Sequence, residues 1–449
     1  MTISAKTFLI ELYEEYLEEA SFLYEQRLSL LVNPEITWKK IGEFEERFEA
    51  HIDGLVVGGD LAIEVCKRRA EEGDFGELHA VVRVFCRQNR KDLVFTLLEN
   101  VDTEDDQKVK AIADALKHEL PAEWNEDIFL FARVNPRVAP LLAIVVGYSR
   151  AQIGETLDVL RESQQRSMVE IIWAYGRLGK PEAFPKLRKY LDSHDPVVQS
   201  IAATALLRLG DEFALNRGLK EIRLSTWPLV PVALAGSRAA VRLLMEMAGE
   251  CVATEDWLTA IGLLGDISAI PVLLDHLSNP KIAGAAALSL YLITGAYFSE
   301  TVFVPEEVDE DELFDDEREN LRSGIAPLRS DGRPFGSNVT RISQERQDWQ
   351  TWWAENESSF DPGVRYRLGK LYSPGSLVEI LGSDQSPHLV RALAYEELVV
   401  RYGTDVPFEV DMFLVSQQNA IERMKDWVQQ NGHRFREGAY YFGGRLLPL

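Results

Sequence analysis

Two stretches of sequence decide the fold: Leu178-Gly179-Lys180-Pro181-Glu182-Ala183-Phe184-Pro185-Lys186-Leu187 and Leu264-Gly265-Asp266-Ile267-Ser268-Ala269-Ile270-Pro271-Val272-Leu273. Leu-Gly, Ala, Pro and Leu stand at the same offsets in both. A Leu-Gly pair is typical of a helix C-cap, and a proline shortly afterwards is typical of the first turn of the next helix. Each stretch therefore predicts the turn of a helical hairpin.

The sequence after each stretch repeats as well. An Asp-Pro or Asn-Pro turn follows, at Asp195-Pro196 and Asn279-Pro280, and then an alanine-rich helix that ends at Gly210 or Gly295. Fainter copies cover residues 73–120 and 368–403. These blocks resemble HEAT-like repeats. Because one such hairpin cannot bury its apolar face alone, consecutive hairpins stack. We therefore expect an all-α fold, a curved HEAT-like α-solenoid of stacked helical hairpins.

The chain divides into five predicted parts. Residues 1–70 form an N-terminal helical cap, broken at Asn33-Pro34, and residues 71–298 carry the HEAT-like repeats. Residues 299–345 are rich in Pro, Gly, Ser and acid and are too long for an ordinary loop, so they are interpreted as an irregular insertion. Residues 346–434 form C-terminal helical repeats. Residues 435–449 form a tail that we expect to cap the last repeat as a short hairpin or strand.

Composition excludes several classes of partner. The 449 residues carry 48 Lys plus Arg against 72 Asp plus Glu, a net charge of −24, which argues against nucleic acid and against an anionic membrane surface. The widely spaced Cys66, Cys86 and Cys251 do not suit a disulfide framework or a cysteine zinc site. The acidic N-terminal region does not resemble a signal peptide. We expect a cytoplasmic protein.

The strongest charge feature is the acidic run in the insertion, whose candidate partner-binding residues are Glu306, Glu307, Asp309, Glu310, Asp311, Glu312, Leu313, Phe314, Asp315 and Asp316. Such a run suits a basic protein partner, for instance a cationic toxin domain, or mimicry of a nucleic-acid backbone. The apolar pair Leu313-Phe314 inside it is a common recognition pattern. The alternative is a solvated loop, and it is favoured because charge blocks usually only solvate.

A second candidate partner-binding feature is the aromatic group Trp349, Trp352 and Trp353. Tryptophan dominates binding energies at many interfaces. The alternative, which the helical spacing favours, is a stripe that packs against the core. Arg365 and Arg367 are interpreted as salt-bridged structural residues without chemistry of their own.

No catalytic motif is visible. The seven histidines show neither an i,i+4 pair nor a cysteine partner, and the chain lacks nucleophile-elbow and phosphate-loop patterns. We therefore predict no metal, no cofactor and no enzymatic activity.

A set of C-terminal residues carries a family resemblance: Trp352-Trp353, Phe360, Gly363, Arg365-Tyr366-Arg367, Leu368-Gly369, Leu377, Leu381 and Arg391-Ala392. Together with Glu18–Arg27 and His51–Leu55, it resembles uncharacterised bacterial HEAT-repeat proteins often encoded near type VI secretion and polymorphic-toxin genes. The resemblance implies a context and brings no catalytic residues with it. The long acidic insertion departs from that pattern.

The leading functional hypothesis is a non-catalytic, protein-binding solenoid, a cytosolic adaptor or chaperone for a toxin or cargo of a type VI secretion pathway. An immunity protein that neutralises a toxin is the nearest alternative. HEAT-like repeats also occur in bilin lyases and in DNA glycosylases, and the negative charge argues against the latter. A scaffold in a constitutive complex stays open.

Overall fold

Helices make up most of the chain. The computed structural model describes residues 4–33, 35–150, 168–249, 253–305, 313, 315–323, 328 and 332–448. The α-helices within these ranges are α1 Ala5–Val32, α2 Ile41–Val57, α3 Gly59–Glu72, α4 Phe75–Arg87, α5 Lys91–Asn100, α6 Asp106–Glu119, α7 Asn125–Val134, α8 Ala139–Ser149, α9 Met168–Leu178, α10 Phe184–Tyr190, α11 Pro196–Arg208, α12 Glu212–Glu221, α13 Leu229–Ala235, α14 Arg238–Glu246, α15 Glu255–Leu264, α16 Ile270–His276, α17 Ala283–Thr294, α18 Asp315–Arg322, α19 Arg346–Asn356, α20 Pro374–Gly382, α21 His388–Glu397 and α22 Leu414–Asn431. The predicted all-α class is confirmed.

The repeated stretches fold as their residues predict. Helices α9 and α15 end at Leu178 and Leu264, and the glycine after each has a positive φ, 68° at Gly179 and 69° at Gly265. The helices that follow each carry proline in the first turn. This geometry suits glycine because a side chain would cost energy in the left-handed region.

Eight of the described helices form a continuous row, and most of them alternate along the chain with helices outside the row. Each member packs against the next, in the order α4, α6, α8, α9, α11, α13, α15 and α17. The intervening helices, such as α5, α10 and α16, pack beside their sequence neighbours in the row. Buried alanines and leucines fill the contacts, so neighbouring helices approach closely and bury apolar area. We call this set of helices the central row.

Among the described residues, three two-stranded antiparallel sheets interrupt the helices. Strands β1 Ser299–Pro305 and β2 Gly336–Ile342 pair from Ser299 with Ile342 to Pro305 with Gly336, and they form a ribbon. The other two sheets are short hairpins: β3 Tyr366–Arg367 with β4 Lys370–Leu371, and β5 Tyr441–Phe442 with β6 Arg445–Leu446. The tail thus forms a hairpin, as its sequence predicts. Leu368-Gly369 lies at a hairpin tip, whereas the sequence interpretation has it opening a further helical repeat.

The two short hairpins belong to an internal duplication that the sequence analysis missed. The pattern Trp-x3-Asn-x3-Phe-x2-Gly-x2-Tyr-x2-Gly-x-Leu runs from Trp352 to Leu371 and again from Trp427 to Leu446. Both copies make the same local bonds. The tyrosine hydroxyl accepts from a backbone N–H, that of Asp361 at 2.7 Å in the first copy and that of Arg436 at 2.8 Å in the second.

Each hairpin caps the end of the helix that lies before the tryptophan-bearing helix of its own copy. Leu368 and Gly369 donate their N–H groups to the carbonyl oxygens of Leu292 and Ile293 at the end of α17. In the second copy, Gly443 and Gly444 donate to carbonyls of Val400 and Arg401 in the π-helical turn Leu398–Tyr402. These bonds satisfy carbonyls that a helix end leaves without partners.

The segment from Arg365 to Leu447, here the C-terminal segment, runs along the carboxyl ends of the central row. Arg365 donates to the carbonyls of Leu263 and Leu264 at the end of α15. Farther along, Arg401 donates to Ala233 at the end of α13. The segment also contacts helix α1, where Arg27 donates to the carbonyl of Asp411 at 2.7 Å. The segment therefore joins the first helices of the chain to the last ones of the row.

The equivalent glycines Gly369 and Gly444 allow a matched test of the hairpin caps. Both have positive φ, but a Cβ at Gly369 would lie 2.5 Å from the Thr294 carbonyl oxygen, whereas at Gly444 the nearest atom is 4.0 Å away. We expect Gly444→Ala to lower the free energy of unfolding by ~1–2 kcal/mol through backbone strain alone. Gly369→Ala should cost roughly a further 1–3 kcal/mol. Chemical denaturation of both variants measures the difference, and equal losses would contradict the close approach.

Candidate interaction surfaces

The ribbon and the acidic run form an insertion within one copy of the duplication. In the first copy, residues 296–345 connect the glycine-capped end of α17 to the tryptophan-bearing helix α19. In the second copy, the much shorter residues 404–413 connect the corresponding helical end at Gly403 to α22. The second copy therefore makes the equivalent connection without a ribbon.

The base of the ribbon is anchored in the core. Trp349 is 1 % exposed, its indole N–H donates to the carbonyl of Ser343 at 2.8 Å, and its ring meets Phe298 edge-on. Farther out, Phe303 and Val304 of β1 are exposed. The ribbon thus combines a fixed base with apolar side chains that face solvent.

Most of the predicted acidic site lies outside the described residues: Glu306, Glu307, Asp309, Glu310, Asp311, Glu312 and Phe314. Leu313 is described and buried. Asp315 and Asp316 begin helix α18, and their side chains are outside the description.

The three tryptophans divide between core and surface. Trp349 is buried and so does not offer its ring to a partner. Trp352 and Trp353 are half-buried, and both pack on Phe360, with ring centroids 6.3 and 5.4 Å away. Phe360 in turn meets Tyr366 edge-on at 4.9 Å. The aromatic group thereby holds hairpin β3–β4 against α19, which is the packing role that the spacing favours.

Ion pairs attach the C-terminal segment to the row. Lys117 binds Asp411 at 2.6 Å, and Arg177 binds Glu409 at 2.9 Å. Arg177 and Arg208 share Glu396, both at 2.7 Å. Burial alone would raise the pKa of Glu396, but these two guanidinium groups outweigh it and lower the pKa to about 2. Cations at the ends of the row are thus neutralised within the chain.

A second buried cluster centres on Glu397. Its carboxylate accepts from Arg365 at 2.5 Å, from Arg367 at 2.7 Å and from the Tyr372 hydroxyl at 2.8 Å. Arg401 lies 3.7 Å away. Burial opposes ionisation of Glu397, yet the three arginines keep its pKa below the ordinary value. The interpretation of Arg365 and Arg367 as salt-bridged structural residues agrees with these contacts.

The described residues do not gather into a metal site. No three of their His, Cys, Asp and Glu side chains are grouped so that they would hold an ion. Both described cysteines, Cys66 and Cys86, are buried, and burial raises the pKa of Cys66 to about 12.

Two further findings concern membrane-spanning helices and similarity to known proteins. Of the helices that the structure describes, no single one is long and apolar enough to cross a membrane; a bent pair, Ala122–Val134 with Pro136–Ser149, meets the length and composition only jointly, across a 116° bend. No protein-family model, curated protein or solved structure matches this sequence.

Proposed function

We propose that the chain is a non-catalytic, protein-binding α-solenoid of HEAT-like hairpins, and that the insertion at residues 299–345 is its docking element for a basic protein. The packing of eight described helices into one row supports the solenoid interpretation. Stacked helical hairpins give extended surfaces that bind other proteins.

The observation that carries the proposal is the position of the insertion. The second copy of the duplication makes the same helix-to-helix connection with residues 404–413 alone. The ribbon is therefore not required for the hairpin cap, and a role outside the fold accounts for it. An appended element that leaves Phe303 and Val304 exposed beside an acidic run has the composition of a recognition surface.

Charge indicates the kind of partner. Residues 299–345 hold 13 acidic and 5 basic side chains, and the run at 306–317 holds 9 acidic side chains without a basic one. A basic surface would be attracted to this element, and the attraction would speed association at low salt. We propose a cytosolic adaptor or chaperone that holds a cationic cargo, such as a toxin or secretion component.

Neutralising the run tests this proposal. In the full chain, Glu306, Glu307, Asp309, Glu310, Asp311 and Glu312 are replaced by the matching amides, and partners are recovered from native cells by affinity purification with mass spectrometry. We expect a dominant basic partner whose yield falls at least roughly tenfold, because each lost close charge pair weakens binding. The melting temperature should not change.

A matched control replaces six exposed glutamates on the helices by glutamine: Glu11, Glu15, Glu43, Glu71, Glu72 and Glu99. This variant has the same net charge and should keep the partner. Equal losses in both variants, or the absence of any basic partner, would contradict the proposal. Toxicity rescue then separates an adaptor from an immunity protein, since only the latter protects cells that express the toxin alone.

A further inference from the structure

Arg391 is a buried cation without a counter-ion among the residues that the structure describes. Its side chain lies in α21 and is 1 % exposed. Nε donates to the carbonyl of Leu381 at 3.0 Å, and one terminal nitrogen donates to the Gln417 side chain at 2.6 Å. The guanidinium also stacks on Trp38, 4.0 Å from the ring centroid. No described carboxylate pairs with it, and its other terminal nitrogen, Nη1, donates no hydrogen bond within the described residues.

The other buried arginines of the described chain differ in this respect. Arg365, Arg367 and Arg401 share Glu397, Arg27 pairs with Glu45, and Arg83 pairs with Glu49 and Glu119. This pairing is general in proteins because an unpaired buried charge is costly. Burial also lowers the pKa of Arg391 to about 9, opposed by Asp384, so the group remains a cation at neutral pH. Its bonds to Leu381 and Gln417 occupy two of the three guanidinium nitrogens. Both acceptors are neutral, so they do not balance the positive charge.

Arg391 lines a cavity of about 560 Å³ between the α1–α2 connection, strand β2 and the start of α21. Three apolar side chains on its lining face solvent: Val32 is 71 % exposed, Tyr297 49 % and Leu389 52 %. They come from three separate parts of the chain. The lining also carries two carboxylates, and both have partners: Asp384 pairs with Lys39 at 2.7 Å, and Glu35 accepts from the N–H of Thr340 at 2.8 Å. A buried cation beside exposed apolar side chains suits a ligand with one anionic group and apolar groups on either side.

We infer that this cavity binds a peptide of a partner protein through an Asp, Glu or C-terminal carboxylate that pairs with Arg391 beside Trp38. The apolar neighbours of that carboxylate cover Val32, Tyr297 and Leu389. A peptide carries apolar side chains on both sides of such a carboxylate, whereas a small free acid does not. The fork of guanidinium donors matches carboxylate geometry. This site goes beyond the proposed function, because its ligand is acidic and the ligand of the insertion is basic.

The test is a selection of random heptapeptides, displayed with free carboxyl ends, on the full chain. Selected peptides are then labelled, and their binding is measured by fluorescence anisotropy. We expect a shared carboxylate next to aliphatic or aromatic residues. Arg391→Gln should weaken binding roughly thirtyfold or more, since a desolvated charge pair is lost. Leu389→Ser, at an exposed rim position, should weaken it several-fold.

Two controls separate the role of Arg391 from a general charge effect and from loss of folding. Arg341→Gln removes another cation of the same lining, one that is exposed and already paired with Glu300, and should have little effect. If Arg391→Gln does not fold, replacing the carboxylate of the peptide by its amide measures the same pair on the native protein. Selection of no peptide, or of peptides without a carboxylate, would overturn the inference. So would benzoate binding as tightly as the peptides together with no effect of Leu389→Ser, since that result assigns the cavity to a small acid.

Discussion

Glu397→Gln is expected to lower the free energy of unfolding by about 3–5 kcal/mol, a large effect for one substitution. The carboxylate is 1 % exposed and faces Arg365, Arg367 and Arg401, which are equally buried. An amide of the same shape keeps the packing but leaves three guanidinium groups without an anion. Far-ultraviolet circular dichroism during urea denaturation measures the loss.

The exposed pair Lys370–Glu379 provides the control, because both of its side chains are more than half exposed. Glu379→Gln should change the free energy of unfolding by less than ~1 kcal/mol, as is usual for surface ion pairs. A loss at Glu397 no larger than that at Glu379 would show that carbonyl oxygens alone satisfy the arginines.

Glu396→Gln should lower stability at neutral pH by ~3 kcal/mol, and this loss should shrink in acid. The folded pKa of Glu396 is about 2, against an ordinary value of 4.5. Because the folded pKa is the lower one, ionised Glu396 stabilises the fold above pH 4.5. That contribution disappears as the pH falls from 4.5 toward 2.

The measurement is the difference in unfolding free energy between wild type and Glu396→Gln, taken from pH 7 down to pH 3. It should be constant above roughly pH 5 and then decrease by about 1.4 kcal/mol per pH unit. Subtraction removes the titration of Glu397 and Asp411, which both proteins share. Glu422→Gln, in an exposed pair with Lys425, should give a flat difference near zero. A flat curve for Glu396→Gln would place the carboxylate outside the Arg177–Arg208 pairing.

Local sequence signals predicted much of the fold. The Leu-Gly caps at Gly179 and Gly265 and the prolines that follow them depend on backbone preferences of a few neighbouring residues. The structure places the helix ends at those positions. The aromatic spacing at Trp349 also favoured a core position, which its burial bears out.

Local sequence signals did not predict the path of the C-terminal segment. It depends on ion pairs between residues far apart in sequence, such as Lys117 with Asp411 and Arg208 with Glu396. With 72 acidic side chains, no single pair stands out in the sequence. In the sequence, Arg391 is distinguished only by the family resemblance, because the lack of a described counter-ion is a three-dimensional property.

The duplication, by contrast, was present in the sequence. The aromatic and glycine positions from Trp352 to Leu371 recur at identical spacing from Trp427 to Leu446. The insertion concealed it, since it separates Gly295 from α19 in one copy while Gly403 lies close to α22 in the other. Comparison of the two C-terminal motifs alone would have identified both hairpins.

The contact between Arg27 and the backbone of Asp411 forms only after nearly the whole chain has been synthesised. A ribosome makes the whole central row before it reaches Glu396 and Asp411. Until then Arg177 and Arg208 lack the carboxylate that they share, and Lys117 is paired only with Asp114 of its own helix. Contacts of such high sequence separation form late and slow folding. The segment from Arg365 to Leu447 holds ten acidic and ten basic side chains, so the nascent chain already carries the full negative charge before this segment is made. What it lacks at that stage is the acidic partners of these particular cations.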